Sequence, residues 1–229
     1  MDGQWKMPKP SRRFRLYNIY NILYKTYGPR KWWPADTPFE VIAGAILTQN
    51  TSWNNVEKAI TKLKANKTLT PGKLKEMSKN RLASLIKSCG YYNIKATRLK
   101  HFAEYLVKNY GGSLKKFFSN STPHTREELL AINGIGPETA DSILLYAANR
   151  PVFVVDAYTK RILQRQGLIK PNATYEQIQK LFEDNFPKNS RLFNEYHALI
   201  VQHGKDVCRK KPICSACVLR KECKFAQRG

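Results

Sequence analysis

Acidic residues are scarce: 17 Asp and Glu stand against 40 Lys and Arg, a formal net charge of +23 over 229 residues. Such an imbalance repels itself in a compact chain unless a polyanion or counterions gather on it. Nucleic acid is the first candidate polyanion and an acidic membrane surface the second. Long apolar runs are missing too. No stretch approaches the ~20 residues that span a bilayer, and the N-terminus MDGQWKMPKP has no apolar signal core. That points to an intracellular protein with no membrane partner, in the cytoplasm or nucleoid if the source is prokaryotic. Period-two alternation and internal repeats are also lacking, so nothing asks for a sheet and the chain reads as all-α. Over the first 207 residues cysteine is represented by Cys89 alone, read as a small apolar residue.

What is present is a succession of apolar-periodic segments. Residues 1–13 form a basic arm. Helical spacing then runs over Phe14–Tyr27, stopped by Gly28-Pro29, and over Phe39–Thr48, Asn55–Leu63, Leu69–Leu74, Lys79–Cys89 and Ile94–Tyr110. Thr125 followed by Glu128 has the look of a helix start. Ala157–Gln166, Tyr175–Phe186 and Arg191–His203 complete the set.

The chain is organised around residues 129–163, LLAINGIGPETADSILLYAANRPVFVVDAYTKRIL. Gly134-Ile135-Gly136 makes a turn in which both glycines can take positive φ. Pro137 suits a first helical position and Glu138 the positively polarised first turn. Ala140, Ile143, Leu144 and Ala147 then repeat on one face. A glycine turn between two helices offers backbone N–H groups to a phosphate, although an ordinary helix hairpin has the same look. Asp156, after the apolar run Val152–Val155, can cap the next helix.

Four cysteines close the chain as Cys208-x5-Cys214-x2-Cys217-x5-Cys223. Disulfides do not fit an intracellular protein. Four thiolates suit zinc, but zinc patterns usually have two short CxxC knuckles and only Cys214–Cys217 is one. A [4Fe–4S] cluster tolerates the longer outer arms. Lys205, Arg209, Lys210, Lys211, Arg220, Lys221 and Lys224 surround these ligands, placed either to meet phosphates or to balance an anionic centre. Two aromatic features stand apart. Trp32 and Trp33, next to Pro34, cannot both face inward on a regular helix, so one ring reads as core and the other as offered to a cleft. Trp53 follows Gln49-Asn50-Thr51-Ser52, a polar break between two apolar helices where a loop can meet DNA. In Gly90–Arg98, Lys95 and Arg98 read as phosphate contacts or as solvated charges.

Hairpin, apolar loop and aspartate in this order, with the terminal cysteines, resemble the helix-hairpin-helix DNA glycosylases of the endonuclease III superfamily over roughly residues 30–225. The resemblance implies a two-domain helical fold: a barrel over 39–148 and a second domain from 14–38 plus 149–229, with a [4Fe–4S] loop at 208–223. It implies that Asp156 is catalytic, that Gln49 fills the gap left by an extruded nucleotide, and that Asn50, Gly134, Ile135 and Gly136 lie on DNA. Cys208, Cys214, Cys217 and Cys223 would hold the cluster. Taken alone, Asp156 reads as a cap, Gln49 as a polar helix end and the tryptophans as core. WWP…FEVIAGAILTQNTSW and GIGPETADSILLYA further resemble the subgroup that includes 3-methyladenine DNA glycosylase III, with Trp32, Trp33, Trp53 and Glu138 at the base-pocket positions. Two departures matter. Glu138 stands where bifunctional members carry a Schiff-base lysine, and the first cysteine gap has five residues where six are common. The expectation is a monomeric, monofunctional N-glycosylase acting on double-stranded DNA with a damaged base, an alkylated purine. The alternatives are an endonuclease III-like glycosylase and AP lyase for oxidised pyrimidines or mismatches, and a non-catalytic DNA-damage binding protein.

Overall fold

Short hydroxyl and carboxyl side chains start most of the helices. In the computed structural model, which describes residues 11–30 and 32–227, Ser11, Thr37, Thr70, Ser78, Ser113, Ser121, Asp156 and Thr174 each accept a hydrogen bond from a first-turn amide. Thr174 and Gln177 complete a reciprocal capping box. Most of the expected basic arm lies outside the described residues; Arg12 and Arg13 already belong to the first helix.

In chain order the helices are α1 Arg12–Tyr27, α2 Pro38–Leu47, α3 Trp53–Ala65, α4 Pro71–Glu76, α5 Lys79–Leu85 and α6 Tyr92–Tyr110. There follow α7 Leu114–Phe117, α8 Thr122–Ala131, α9 Pro137–Ser142, α10 Ala157–Gln166, α11 Tyr175–Glu183 and α12 Ser190–Asp206. No strand occurs among the described residues, as the missing alternation implies. The expected cap at Thr125 is displaced to Ser121. Pro123 has no N–H to give and fits only a first turn, so the helix opens ahead of it. Thr125 is instead buried, its hydroxyl donating to Ser121 O.

The chain divides into two units. Among the described residues, one comprises 11–30, 32, 155–188 and 192–227, the other 33–154 with 189–191. In the first, Leu16, Ile19 and Leu23 give α1 a buried stripe. The fully buried Tyr196 of α12 donates its hydroxyl to Leu16 O at 2.8 Å and meets Tyr20, Phe182 and Phe186 edge-on. Edge-to-face rings of this kind add about 0.5–1.5 kcal/mol per pair beyond area burial.

In the second unit α2 is buried from Phe39 to Leu47, and Leu99, Phe102, Ala103 and Leu106 of α6 share its core. Lys95 is only 2% exposed and donates to Cys89 O at 2.8 Å. Burial depresses its pKa. Neither expected setting, phosphate or solvent, is therefore its own. It ties the end of the Lys87–Cys89 turn instead. After α9 the helix widens into a π-helical segment over Ile143–Ala147.

Candidate functional site

The hairpin turn joins α8 to α9. Gly134 takes φ +95°, which only glycine adopts without strain, whereas Gly136 sits at φ −95° as the N-cap of α9. The expectation of two left-handed glycines is thus half corrected: Gly136 is extended because it must launch the helix. Ile135 buries its side chain and spends its N–H on Ile132 O at 3.0 Å. The amides of Gly134 and Gly136 have no backbone acceptor among the described residues. Glu138 is exposed in the first turn of α9. Behind the turn, Arg126 of α8 grips the fully buried Asp141 of α9 at 2.7 and 3.0 Å, locking the two hairpin helices together.

Gln49, at the end of α2, reaches across to this turn. Its Nε2 donates to Gly134 O at 3.1 Å and Thr139 Oγ1 at 2.9 Å, and its Oε1 accepts from the Arg98 guanidinium. Arg98 lies against Gly134 so closely that a Cβ there would collide with its stem. The next residue, Asn50, is exposed with φ +53°.

Trp33 and Trp53 meet edge-on at 5.1 Å, and the ring of Tyr146 lies 5.1 Å from Trp33. Gly44 makes room for this cluster, since a Cβ there would stand 3.1 Å from Trp33 Cζ2. Tyr146, which no local motif marks, rides on the π-helical segment, a distortion frequent at functional sites. Trp32 ends the other unit, half-buried under the Lys205 ammonium at 5.4 Å. Neither tryptophan is fully core.

Asp156 belongs to the first unit and caps α10, its Oδ1 accepting from Thr159 N at 2.7 Å. Its side chain is 12% exposed, and Oδ2 lies 3.6 Å from Nε2 of the buried His197 on α12. Burial alone would oppose ionisation. The His197 interaction and the Thr159 amide outweigh it and hold the carboxyl below its usual range. His197 is a second residue absent from the sequence reading, because no local spacing ties α12 to the start of α10.

The four terminal cysteines carry no disulfide and line one cavity with Ile162, Val207, Ile213 and Leu219. They surround this space rather than closing on a point: no group of three or more His, Cys, Asp or Glu among the described residues is set to hold a single ion. Arg165 Nη1 donates to Cys208 Sγ at 3.2 Å. The same guanidinium reaches Arg209 O at 2.6 Å and Lys210 O at 2.9 Å, while Arg161 holds Cys208 O and Gly204 O. Four thiols around one space, with a cationic donor on one sulfur, are a suitable donor set for an iron–sulfur cluster.

The profile of the HhH-GPD superfamily of base excision DNA repair proteins matches residues 43–188. A provisionally named DNA repair glycosylase of Methanocaldococcus jannaschii is 50% identical over 91% of this chain and 95% of its own. Endonuclease III of Thermotoga maritima is 32% identical over 83% of this chain and 84% of its own. Among solved structures, the 3-methyladenine DNA glycosylase of H. pylori bound to 1,N6-ethenoadenine matches with a TM-score of 0.71 and 29% identity. That match covers 86% of this chain and 98% of the H. pylori one. Matched by that profile over most of its length and by a repair glycosylase at half its residues, the chain belongs to the HhH-GPD superfamily of base excision DNA repair proteins and is a DNA N-glycosylase.

Proposed function

We propose that the protein is a monofunctional glycosylase, active as a monomer, that removes an alkylated purine such as 3-methyladenine from double-stranded DNA. The observation that carries this reading is Asp156, a carboxylate kept ionised in a nearly buried setting by His197 and the Thr159 amide. The target nucleotide leaves the stack at a cost of a few kcal/mol, least when its base is damaged. The C1′–N bond then breaks with its electron pair leaving on the base, and positive charge develops on the sugar. Asp156 stabilises that charge and takes the proton of the water that adds to C1′. A base already carrying positive charge from N-alkylation needs little protonation to depart.

Trp33 and Trp53 supply π-faces that suit such a cation, worth ~0.5–2 kcal/mol depending on desolvation, with Trp32 on the other unit. Glu138 accepts a hydrogen bond from the base, and no amine stands there to form a Schiff base. The amides of Gly134 and Gly136 take a DNA phosphate at the start of α9, with Asn50 beside them. Support for the alkylpurine comes from the likeness to the H. pylori enzyme, whose structure holds ethenoadenine. The likeness to endonuclease III of T. maritima favours the second reading, excision of oxidised pyrimidines with strand cleavage.

Cys208, Cys214, Cys217 and Cys223 would hold a [4Fe–4S] cluster. When bound, that group supplies iron–thiolate bonds which tie the arms of the terminal loop together. Duplexes carrying ethenoadenine, 3-methyladenine or an oxidised pyrimidine separate the readings. Base release from the alkylated duplexes, with strand breaks appearing only after alkali, is the expected outcome. Preference for the oxidised base, or breaks without alkali, would establish the second reading instead.

A further inference from the structure

The sulfur of Cys217 lies 3.5 Å from Nε2 of His203 on α12, within the range of an N–H···S hydrogen bond. His203 is 1% exposed, so its ring has almost no access to bulk water. The other ring nitrogen is engaged as well: Nδ1 lies 2.9 Å from the hydroxyl of Tyr27, the last residue of α1. The backbone of His203 is held too, its carbonyl accepting from the amides of Val207 and Cys208 at 3.0 and 2.8 Å. A phenol, an imidazole and a sulfur thus form a chain of contacts inside one unit, with the imidazole fixed between the other two.

The chemistry of the sulfur decides which way the protons point. A cysteine that ligates iron is a thiolate, which accepts hydrogen bonds and has no proton to give. Nε2 must then carry the hydrogen. A neutral imidazole protonated at Nε2 has a bare Nδ1, an acceptor, and the Tyr27 phenol is the donor that fits it. A donor on Nδ1 polarises the ring and makes Nε2–H the stronger donor. The contact differs in kind from the one at Cys208, whose sulfur meets the full charge of the Arg165 guanidinium.

We infer that His203, oriented by Tyr27, is a positioning residue that donates Nε2–H to the Cys217 sulfur and so raises the reduction potential of a cluster bound there. The inference rests on the reading of the four cysteines as iron–sulfur ligands. An electron added to such a centre places negative charge on its sulfurs. An N–H dipole aimed at one of them stabilises the reduced state more than the oxidised one, and its loss lowers the potential. Protein purified without oxygen, its loop loaded, is titrated at an electrode while the visible absorbance is followed. His203→Leu removes both ring nitrogens and should favour the oxidised state about tenfold more than wild type does, a fall of ~59 mV for a one-electron couple. His203→Gln returns an N–H near the place of Nε2 and should recover most of that fall. Tyr27→Phe leaves the imidazole in place but takes the donor from Nδ1, and should shift the potential the same way by a smaller amount.

Resonance Raman scattering supplies a second readout. A thiolate relieved of a hydrogen bond binds iron more strongly, so an Fe–S(Cys) stretch should rise in frequency in His203→Leu and return towards wild type in His203→Gln. A histidine that only fills space would leave these two variants alike. Equal potentials in the two would therefore overturn the inference, and so would a wild-type potential in His203→Leu. Should His203→Leu fail to fold or to keep its cluster, Tyr27→Phe decides, and a potential and stretch equal to wild type would overturn the inference. Wild-type protein carrying zinc and no iron–sulfur absorbance would overturn the ligand reading and the inference with it. Iron–sulfur absorbance in wild type, with no shift in any variant, would overturn the inference alone.

Discussion

Asp156 caps α10, and the catalytic role proposed for its carboxyl group can be separated from the cap by a single substitution. Asparagine caps helices about as well as aspartate but carries no charge. Asp156→Asn should therefore leave the melting temperature within a few degrees and duplex binding intact, while single-turnover base release falls by ~10²–10⁴-fold. Retained turnover would make this residue a cap and nothing more. His197 supplies the second test. The Asp156 carboxyl is held below its ordinary value, so the associated stabilisation is fully present above about pH 4 and is lost as pH falls through the lower folded value. His197→Phe removes the largest opposition to burial, so the folded pKa rises. The acid limb of the pH–rate profile should move to higher pH, and an unmoved limb would mean that the histidine does not act on the carboxylate. Of this pair only Asp156 could be read from sequence, because a cap is a local signal whereas His197 arrives through tertiary packing. Gln49 and Arg98 divide in the same way. Their polar character was visible, but nothing short of the folded turn shows that they meet.

At the scale of elements, the hairpin is a rigid piece because Arg126 and Asp141 join its helices in a two-pronged pair whose acid is fully buried. Removing one partner of such a pair leaves a buried charge uncompensated, at a cost of about 3–5 kcal/mol. Arg126→Ala should lower the urea midpoint of unfolding by a corresponding amount, and Arg126→Ala/Asp141→Leu should recover part of it. An effect under about 1 kcal/mol would show that the pair is cheaply replaced by water. The longer helices were legible because apolar spacing and breakers such as Gly28 mark them. The four-residue α7 was not, being shorter than any window in which periodicity shows. The π-helical segment was hidden for a different reason. Its apolar residues keep an α-like pattern, so the spacing does not distinguish the widened turn from an ordinary one. The start of α8 was misplaced because four hydroxyl side chains fall close together there, and the decision rests with Pro123.

For the molecule as a whole, the terminal loop offers the most direct measurement. Protein purified without oxygen should show a broad absorbance shoulder near ~400 nm, lost in Cys217→Ser, as expected of an iron–sulfur centre. A colourless protein with stoichiometric zinc would assign the four cysteines to the other metal. The chain's charge, by contrast, was legible from composition alone, and it accords with a family whose members repair DNA.

Helix α10 starts at the Asp156 carboxylate and finishes with Arg165, whose guanidinium holds a cysteine sulfur and two carbonyls of the terminal loop. Ten residues of helix make a strut ~15 Å long. Any shift of that loop pulls on the far end of the strut, and the strut carries it to the aim of the Asp156 carboxylate.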